Sequence, residues 1–449
     1  MIRFYGLEWV KHMFSGRDTF PVTTSVTSDG HLAIDGCDLT DLVGEFGSPL
    51  YVYDEATIRQ TARDFLISFR RAYQDSHVSY SSKAFANPAL TAILDAEGIG
   101  IDVVSGGELA LAKTVGFPAS RMNFNGNNKD RQELSEAVEY GLARITIDGF
   151  PEIDLLNEIA AEQGVVQPVL VRVSPSVDAK THRLTTTGIL DTKFGFSIET
   201  GHAEIAVRKV QEAKNLDLLG LHFHLGSPLF QLDPYTEAIP YVLQFAANMR
   251  DIYGLDMREF SPGGGFAIGY VGEHLPLPIS EYANAIAESV RSGCDAHGFD
   301  EPLLIVEPGR SMVGRAGVAV YTIGAIKEIP GVRTYVSVDG GMGDNIRPAI
   351  YDAEYEAHSV NRVNDEPDGP YRIAGKYCES GDILVKNAFI PTPEPGDLIA
   401  LPASGAYNVP MASNYNMIPR PAIVMVADGE ARLIRRRETY EDLLLTSMI

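Results

Sequence analysis

Several residues able to do chemistry fall where apolar runs end. Lys83 lies near the end of Val78-Ser-Tyr-Ser-Ser-Lys83-Ala-Phe-Ala-Asn87-Pro88. That stretch alternates apolar and polar residues as a buried strand does, and Pro88 suits the first turn of a following helix. An amine in so apolar a setting is costly to keep charged, and its neutral form can condense with an aldehyde. On position alone Lys83 reads as a surface lysine at a strand end. Its company reverses that reading. His222-Phe-His224 sets two imidazoles on one face of a strand, to ligate a metal or to stack on a flat aromatic cofactor. No second histidine cluster at another strand end supplies the further ligands that a metal site needs, so no metal is expected. Gly263-Gly264-Gly265 lets backbone amides approach an anion, and Arg310 in Glu307-Pro-Gly-Arg310 adds a cation at the neighbouring strand end. Together they suit a phosphate monoester, which the Ser227 hydroxyl could also reach.

The elements that must position these residues alternate regularly. Strand patterns occupy residues 78–84, 101–104, 121–125, 144–148, 168–174, 218–224, 258–261 and 303–307. Helical patterns fill most intervals, near 88–97, 107–115, 129–140, 151–163, 200–214, 233–253 and 279–298. This predicts a parallel sheet closed into a (β/α)8 barrel, whose site collects at the C-terminal strand ends. Those ends carry Lys83, Asp102, Asn125, Asp148, Arg172, His222, Glu307 and Arg310. No helix is predicted after the last strand, but one at 54–73 precedes the first and could complete the outer ring. A doubly wound open sheet is the alternative, and it lacks support because the glycine run comes late and has no dinucleotide fingerprint. After Arg310 strands recur without long helices, at 318–323, 334–338, 397–401 and 421–426. The expectation is a barrel over 47–311, inserted in an all-β sandwich or barrel domain made of 1–46 plus 312–449.

With 37 basic and 60 acidic residues the formal net charge is −23, which argues against nucleic acid or an anionic membrane as partner. Three cysteines, Cys37, Cys294 and Cys378, make no disulfide frame and no metal-finger spacing. A cytoplasmic protein is expected. Residues 1–14 are apolar in patches but broken by charges, so no secretory segment is read there, and no run reaches membrane-spanning length.

Taken together, Tyr-Ser-Ser-Lys83-Ala, His-Phe-His224-Leu-Gly-Ser227, Gly-Gly-Gly265-Phe and Glu307-Pro-Gly-Arg310 resemble the group IV pyridoxal-phosphate decarboxylases. The C-terminal half adds Asp339-Gly-Gly-Met-Gly-Asp344, Arg347-Pro-Ala-Ile-Tyr351, Cys378-Glu-Ser-Gly-Asp382 and Gly405-Ala-Tyr407. That set is most similar to the members that convert meso-2,6-diaminopimelate to L-lysine and carbon dioxide. The resemblance covers nearly all the chain after about residue 47. It implies an alanine-racemase-type barrel with a β domain, and pyridoxal 5'-phosphate as cofactor. Lys83 would hold that cofactor covalently, His224 would stack on its ring, and Glu307 would face its ring nitrogen. Ser227, Gly263, Gly264, Gly265, Gly309, Arg310 and Tyr407 would hold the phosphate or neighbouring groups. Arg310, Arg347, Tyr351 and Tyr407 would contact substrate carboxylate, Glu379 would read the distal ammonium, and Cys378 would donate a proton. In the family Cys378 and Glu379 serve the partner's site, so a homodimer with shared active sites is implied. Pro228 stands where the common pattern has glutamine, which implies a different loop over the substrate. The alternative is a decarboxylase of the same family acting on D-lysine, ornithine, carboxynorspermidine or a siderophore precursor. A racemase would leave Cys378-Glu379 without a purpose.

Overall fold

The regular alternation closes into a parallel barrel of eight strands in the computed structural model, which describes residues 19–177, 191–272 and 274–448. Residues 1–14 lie outside the described residues. The strands are β1 (Ser76–Ser81), β2 (Gly100–Val103), β3 (Met122–Phe124), β4 (Arg144–Ile147), β5 (Gln167–Ser174), β6 (Leu216–His222), β7 (Glu259–Gly263) and β8 (Leu303–Val306). Each pairs with the next, and β8 returns to β1, so the barrel closes, with the two-residue strand Phe196–Ser197 added beside the end of β5. Parallel neighbours require long crossovers, and helices supply them, among them Pro88–Ala96, Arg131–Tyr140 and Asp233–Tyr253. Their ends are written locally. Asn87 accepts from the Ala89 amide at 2.8 Å ahead of Pro88, and Asp130 with Glu133 forms a capping box. Gly141 and Gly254 end helices in the left-handed conformation. The helix before the first strand is Glu55–Ala72, and its Phe65 and Phe69 meet Phe266 edge-on at 5.2 and 6.0 Å. Only a short turn, Arg310–Val313, follows β8.

Period two sorts the strand residues. Val78, Tyr80, Ile101, Val103, Ile145 and Ile147 are buried, and between them fall buried polar residues. The Arg144 guanidinium donates to Asn123 Oδ1 at 2.5 Å and to Glu259 Oε1 at 3.0 Å, and Asn123 Nδ2 donates to Ser79 Oγ at 3.3 Å. Because β4 and β7 are not neighbours, these bonds cross the barrel interior.

The barrel lies in one unit, Thr61–Ala267 with Pro276–Gly309; the chain up to Gln60, Ile268–Leu275 and the chain from Arg310 form the other. In the second unit Gly317–Ile329 is the long central strand, pairing antiparallel with Leu50–Asp54, Leu398–Leu401 and Arg333–Val338. Ala422–Ala427 runs parallel to Leu50–Asp54 on its other side. Strands at Thr24–Val26, Leu32–Ile34 and Cys37–Asp38 form a separate three-stranded sheet. Their Leu32 and Ile34 still share one core with Val52, Val320, Ala400 and Val424. Among the described residues no helix is long and apolar enough to cross a membrane, and the three cysteines are free.

Candidate active site

A second set of polar side chains crosses the barrel nearer the C-terminal strand ends. Register puts Ser81 opposite Asp102, and the Ser81 hydroxyl donates to Asp102 Oδ2 at 3.0 Å. Asn125, one residue past β3, donates from Nδ2 to Asp102 Oδ1 at 2.7 Å and to Glu307 Oε1 at 3.3 Å. The Ser261 hydroxyl donates to the same Glu307 oxygen at 3.3 Å. His222 Nε2 lies 3.0 Å from Glu307 Oε2. Asp102, Asn125, His222, Ser261 and Glu307 are all buried. Burial alone would raise the Glu307 carboxyl, but its contact with His222, hydrogen bond included, and the Lys83 charge beyond bring it below its ordinary value. Burial and the Glu307 charge push Asp102 the other way, well above the usual carboxylate range. Of the two buried acids, Glu307 is therefore the anion.

Lys83 occupies the short 3-10 turn Ser82–Ala84 directly after β1. Its side chain is exposed, whereas Ser82, Ala84 and Phe85 beside it are buried. The apolar burial expected of this amine is thus not what the structure shows. Lys83 stays accessible while its neighbours pack. The amine instead stands within electrostatic reach of Asp102, Glu307 and His224. Burial, with the positive charges of Lys83 and Arg172, holds the His224 imidazole well below its ordinary pKa and so neutral. His224 Nδ1 accepts from the Gly264 amide at 3.3 Å.

The glycine run is required by space as well as by φ. A Cβ on Gly263 would sit 2.5 Å from the Phe223 carbonyl oxygen, and on Gly264 2.1 Å from that of Glu307. On Gly265 it would meet Gly226 O at 2.7 Å; Gly263 and Gly265 also have φ of +75° and +120°. The result is bare backbone packed beside Glu307 and His224. Gly309 packs against Ser81, where an added Cβ would come within 3.0 Å of the serine Cβ. Ser227 is half-buried in the loop after β6.

The sheet unit carries a separate cluster of arginine and tyrosine. Arg310 and Arg347 both lie near the Tyr270 ring, with guanidinium carbons 5.8 and 4.5 Å from its centre. Arg310 donates to the Tyr270 hydroxyl at 2.5 Å and lies over Tyr407 at 4.8 Å. Arg347 is hydrogen-bonded to the Tyr355 hydroxyl, which donates to Asn408 Oδ1 at 3.1 Å. Burial would raise the Tyr270 phenol, yet the two guanidiniums bring it below its ordinary value. Two buried cations sharing one phenol are equipped to take an anion. Tyr351 ends the helix Arg347–Tyr351 half-buried, and Tyr355, four residues on, bonds Arg347. The sequence reading named neither Tyr270 nor Tyr355. The spacing Tyr-x-x-x-Tyr after Arg347 was the available signal for the second.

Cys378 and Glu379 are exposed. Their loop is held from behind by Asp382, whose carboxylate accepts from the Met342 amide at 2.6 Å and the Tyr377 amide at 2.9 Å. Asn416 Oδ1 accepts from the Cys378 amide at 2.8 Å. The loop thus presents a thiol and a carboxylate side by side to its surroundings. Among the described residues, His, Cys, Asp and Glu form no group of three or more that could hold a metal ion.

Comparison with known proteins gives this arrangement a context. Residues 56–314 match the family model described as pyridoxal-dependent decarboxylase, pyridoxal binding domain. The chain is 46% identical over 422 residues to diaminopimelate decarboxylase from Bacillus subtilis (strain 168), across 94% of this chain and 96% of that one. The crystal structure of diaminopimelate decarboxylase from M. jannaschii is similar with a TM-score of 0.90 and 35% identity, over 97% of this chain and 99% of that one. The same enzyme in co-complex with L-lysine gives 0.89 and 35%, over 95% and 98%.

Proposed function

Because the chain belongs to the pyridoxal-dependent decarboxylases and within them to the diaminopimelate decarboxylases, we propose that it converts meso-2,6-diaminopimelate to L-lysine and carbon dioxide. The observation that carries this reading is 46% identity spread over 94% of the chain. Pyridoxal phosphate is the cofactor, and the residues present fit it. Gly263, Gly264 and Gly265 offer a cradle that any Cβ would fill. Glu307 is a buried anion, suited to a protonated ring nitrogen, and the neutral imidazole of His224 suits stacking on a flat ring. The cofactor supplies an electron sink when carbon dioxide leaves, and the protein supplies orientation and electrostatics.

In this reading Lys83 binds the cofactor through its amine. Ser227, Gly309, Arg310 and Tyr407 take the phosphate and nearby groups. Arg347, with Arg310, Tyr351 and Tyr407, orients substrate carboxylate so that the bond to be broken is held in one geometry. Cys378 returns a proton to the carbon that has lost its carboxylate, and Glu379 reads the distal ammonium. Because both are exposed, they are free to serve a second copy of the chain, and the working form is a homodimer with shared sites. Free cysteines and the acidic surface fit a cytoplasmic enzyme.

The test is product release. Purified protein with pyridoxal phosphate and meso-diaminopimelate should yield L-lysine and carbon dioxide in equal amounts, and D-lysine or ornithine should react far more slowly. Failure to form lysine with cofactor bound would end the substrate assignment.

A further inference from the structure

His222 is left over once the cofactor and substrate residues are assigned. The sequence offers it as a metal ligand or a stacking group, and the structure sets it against Glu307. Its side chain is buried at the end of β6, with Nε2 3.0 Å from Glu307 Oε2. Its other nitrogen, Nδ1, is buried and has no hydrogen-bond partner. An imidazolium would need an acceptor at both nitrogens, and a buried N–H without one is costly. The arrangement is satisfied by the neutral ring carrying its proton on Nε2 and donating it to the carboxylate.

The other Glu307 oxygen accepts from Asn125 and Ser261, each at 3.3 Å. Donors from β6, β7 and the residue after β3 thus converge on one carboxylate, and no arginine or lysine is in ion-pair contact with it among the described residues. The charged and titratable groups around this pair are Lys83, Asp102, His224 and Arg172. Hydrogen bonds from neutral donors favour the ionised carboxylate without cancelling its charge. The His222 bond is the shortest of the three and the only one to Oε2. It therefore sets both the rotation of the carboxylate and its availability as an acceptor.

We propose that His222, as the neutral Nε2–H tautomer, is the positioning residue that holds Glu307 ionised and aimed at the cofactor's ring nitrogen. This rests on the reading that Glu307 faces that nitrogen. His222 and His224 then have different work: His224 meets the cofactor, and His222 acts on it only through Glu307.

The holoenzyme loaded with pyridoxal phosphate labelled with 15N at the ring nitrogen tests this directly. In the unaltered protein the ring nitrogen should give the resonance of a protonated pyridine. His222→Leu should move that resonance toward the unprotonated form and weaken cofactor binding about tenfold in an absorbance titration. His222→Gln, whose amide can donate to the same oxygen, should restore both. If His222→Leu leaves the resonance unchanged while Glu307→Gln moves it, the role of His222 is refuted and that of Glu307 stands. If Glu307→Gln also leaves it unchanged, the underlying reading of Glu307 fails instead. A measurement without substitution guards against a variant that does not fold. With 15N-histidine in the unaltered holoenzyme, the His222 ring should show the neutral Nε2–H tautomer, and an imidazolium or Nδ1–H form would overturn the proposal.

Discussion

Two polar layers cross the barrel interior on largely the same strands, two residues apart, and they are finished in opposite ways. The deeper layer joins Ser79, Asn123, Arg144 and Glu259; the outer one joins Ser81, Asp102, Asn125, His222, Ser261 and Glu307. In the deeper layer a guanidinium meets a carboxylate, with one hydrogen bond at 3.0 Å. A second contact, Nε to Oε2 at 2.7 Å, adds ion-pair attraction without a hydrogen bond. Charge there is neutralised within the fold. In the outer layer the Glu307 anion is met by an imidazole, an amide and a hydroxyl, so a buried negative charge is left for something else to complement. A buried charge that is paired serves the fold, whereas one held only by neutral donors is kept ready for a ligand.

The largest effect should come from a residue outside both layers. Lys83→Ala should remove the absorbance near the visible edge that borohydride bleaches in the holoenzyme, and with it decarboxylation. Because the side chain is exposed, unfolding free energy should stay within about 0.5 kcal/mol of the parent. Colour that survives this change would show that another amine holds the cofactor.

Glu259→Gln in the deeper layer should do the reverse. It leaves the Arg144 guanidinium buried without its counter-charge, which costs about 3–5 kcal/mol of stability, read as a lower denaturant midpoint. The protein that remains folded should bind pyridoxal phosphate as the parent does. A loss of cofactor affinity at unchanged stability would mean that the two layers are not functionally separate. Cys378→Ala should keep both colour and stability, since the thiol is exposed. Turnover should fall about 10²- to 10⁴-fold if this group delivers the proton. Unchanged turnover would remove Cys378 from the mechanism.

Sequence pattern reaches far into this architecture and stops for physical reasons. All eight barrel strands stand where alternation and apolar runs place them, because period two and close packing act on neighbouring residues. Lys83 shows the first limit. Its neighbours Ala84 and Phe85 are buried, yet in the 3-10 turn the lysine stays accessible, and no local pattern records which side chain of a turn is left uncovered. Tyr270 shows the second, since it lies in an irregular segment and meets Arg310 forty positions away. The two layers show the third. Ser79 and Ser81, or Asn123 and Asn125, are the same residue types on the same face, and only their partners on distant strands divide structural from functional polarity.

The smallest effect belongs to His77, at the deep end of β1. Burial, aided by Arg144 and Arg121, lowers its pKa to about 4, against about 6.5 in an unfolded chain. The folded protein therefore keeps this imidazole neutral where the unfolded chain binds a proton. Above pH 6.5 neither state is charged and His77 contributes no pH dependence. As pH falls from about 6.5 to about 4 the unfolded state is favoured, by up to about 1.4 kcal/mol per unit and about 3 kcal/mol in all. His77→Gln should flatten the denaturant midpoint across that window and match the parent's slope above it. His224, lowered by burial and by Lys83, should leave a residual slope in the variant, and adding cofactor should reduce that slope if its ring stacks on this imidazole. A variant whose slope is unchanged between pH 6.5 and 4 would show that His77 takes up a proton as readily in the folded protein as in the unfolded chain.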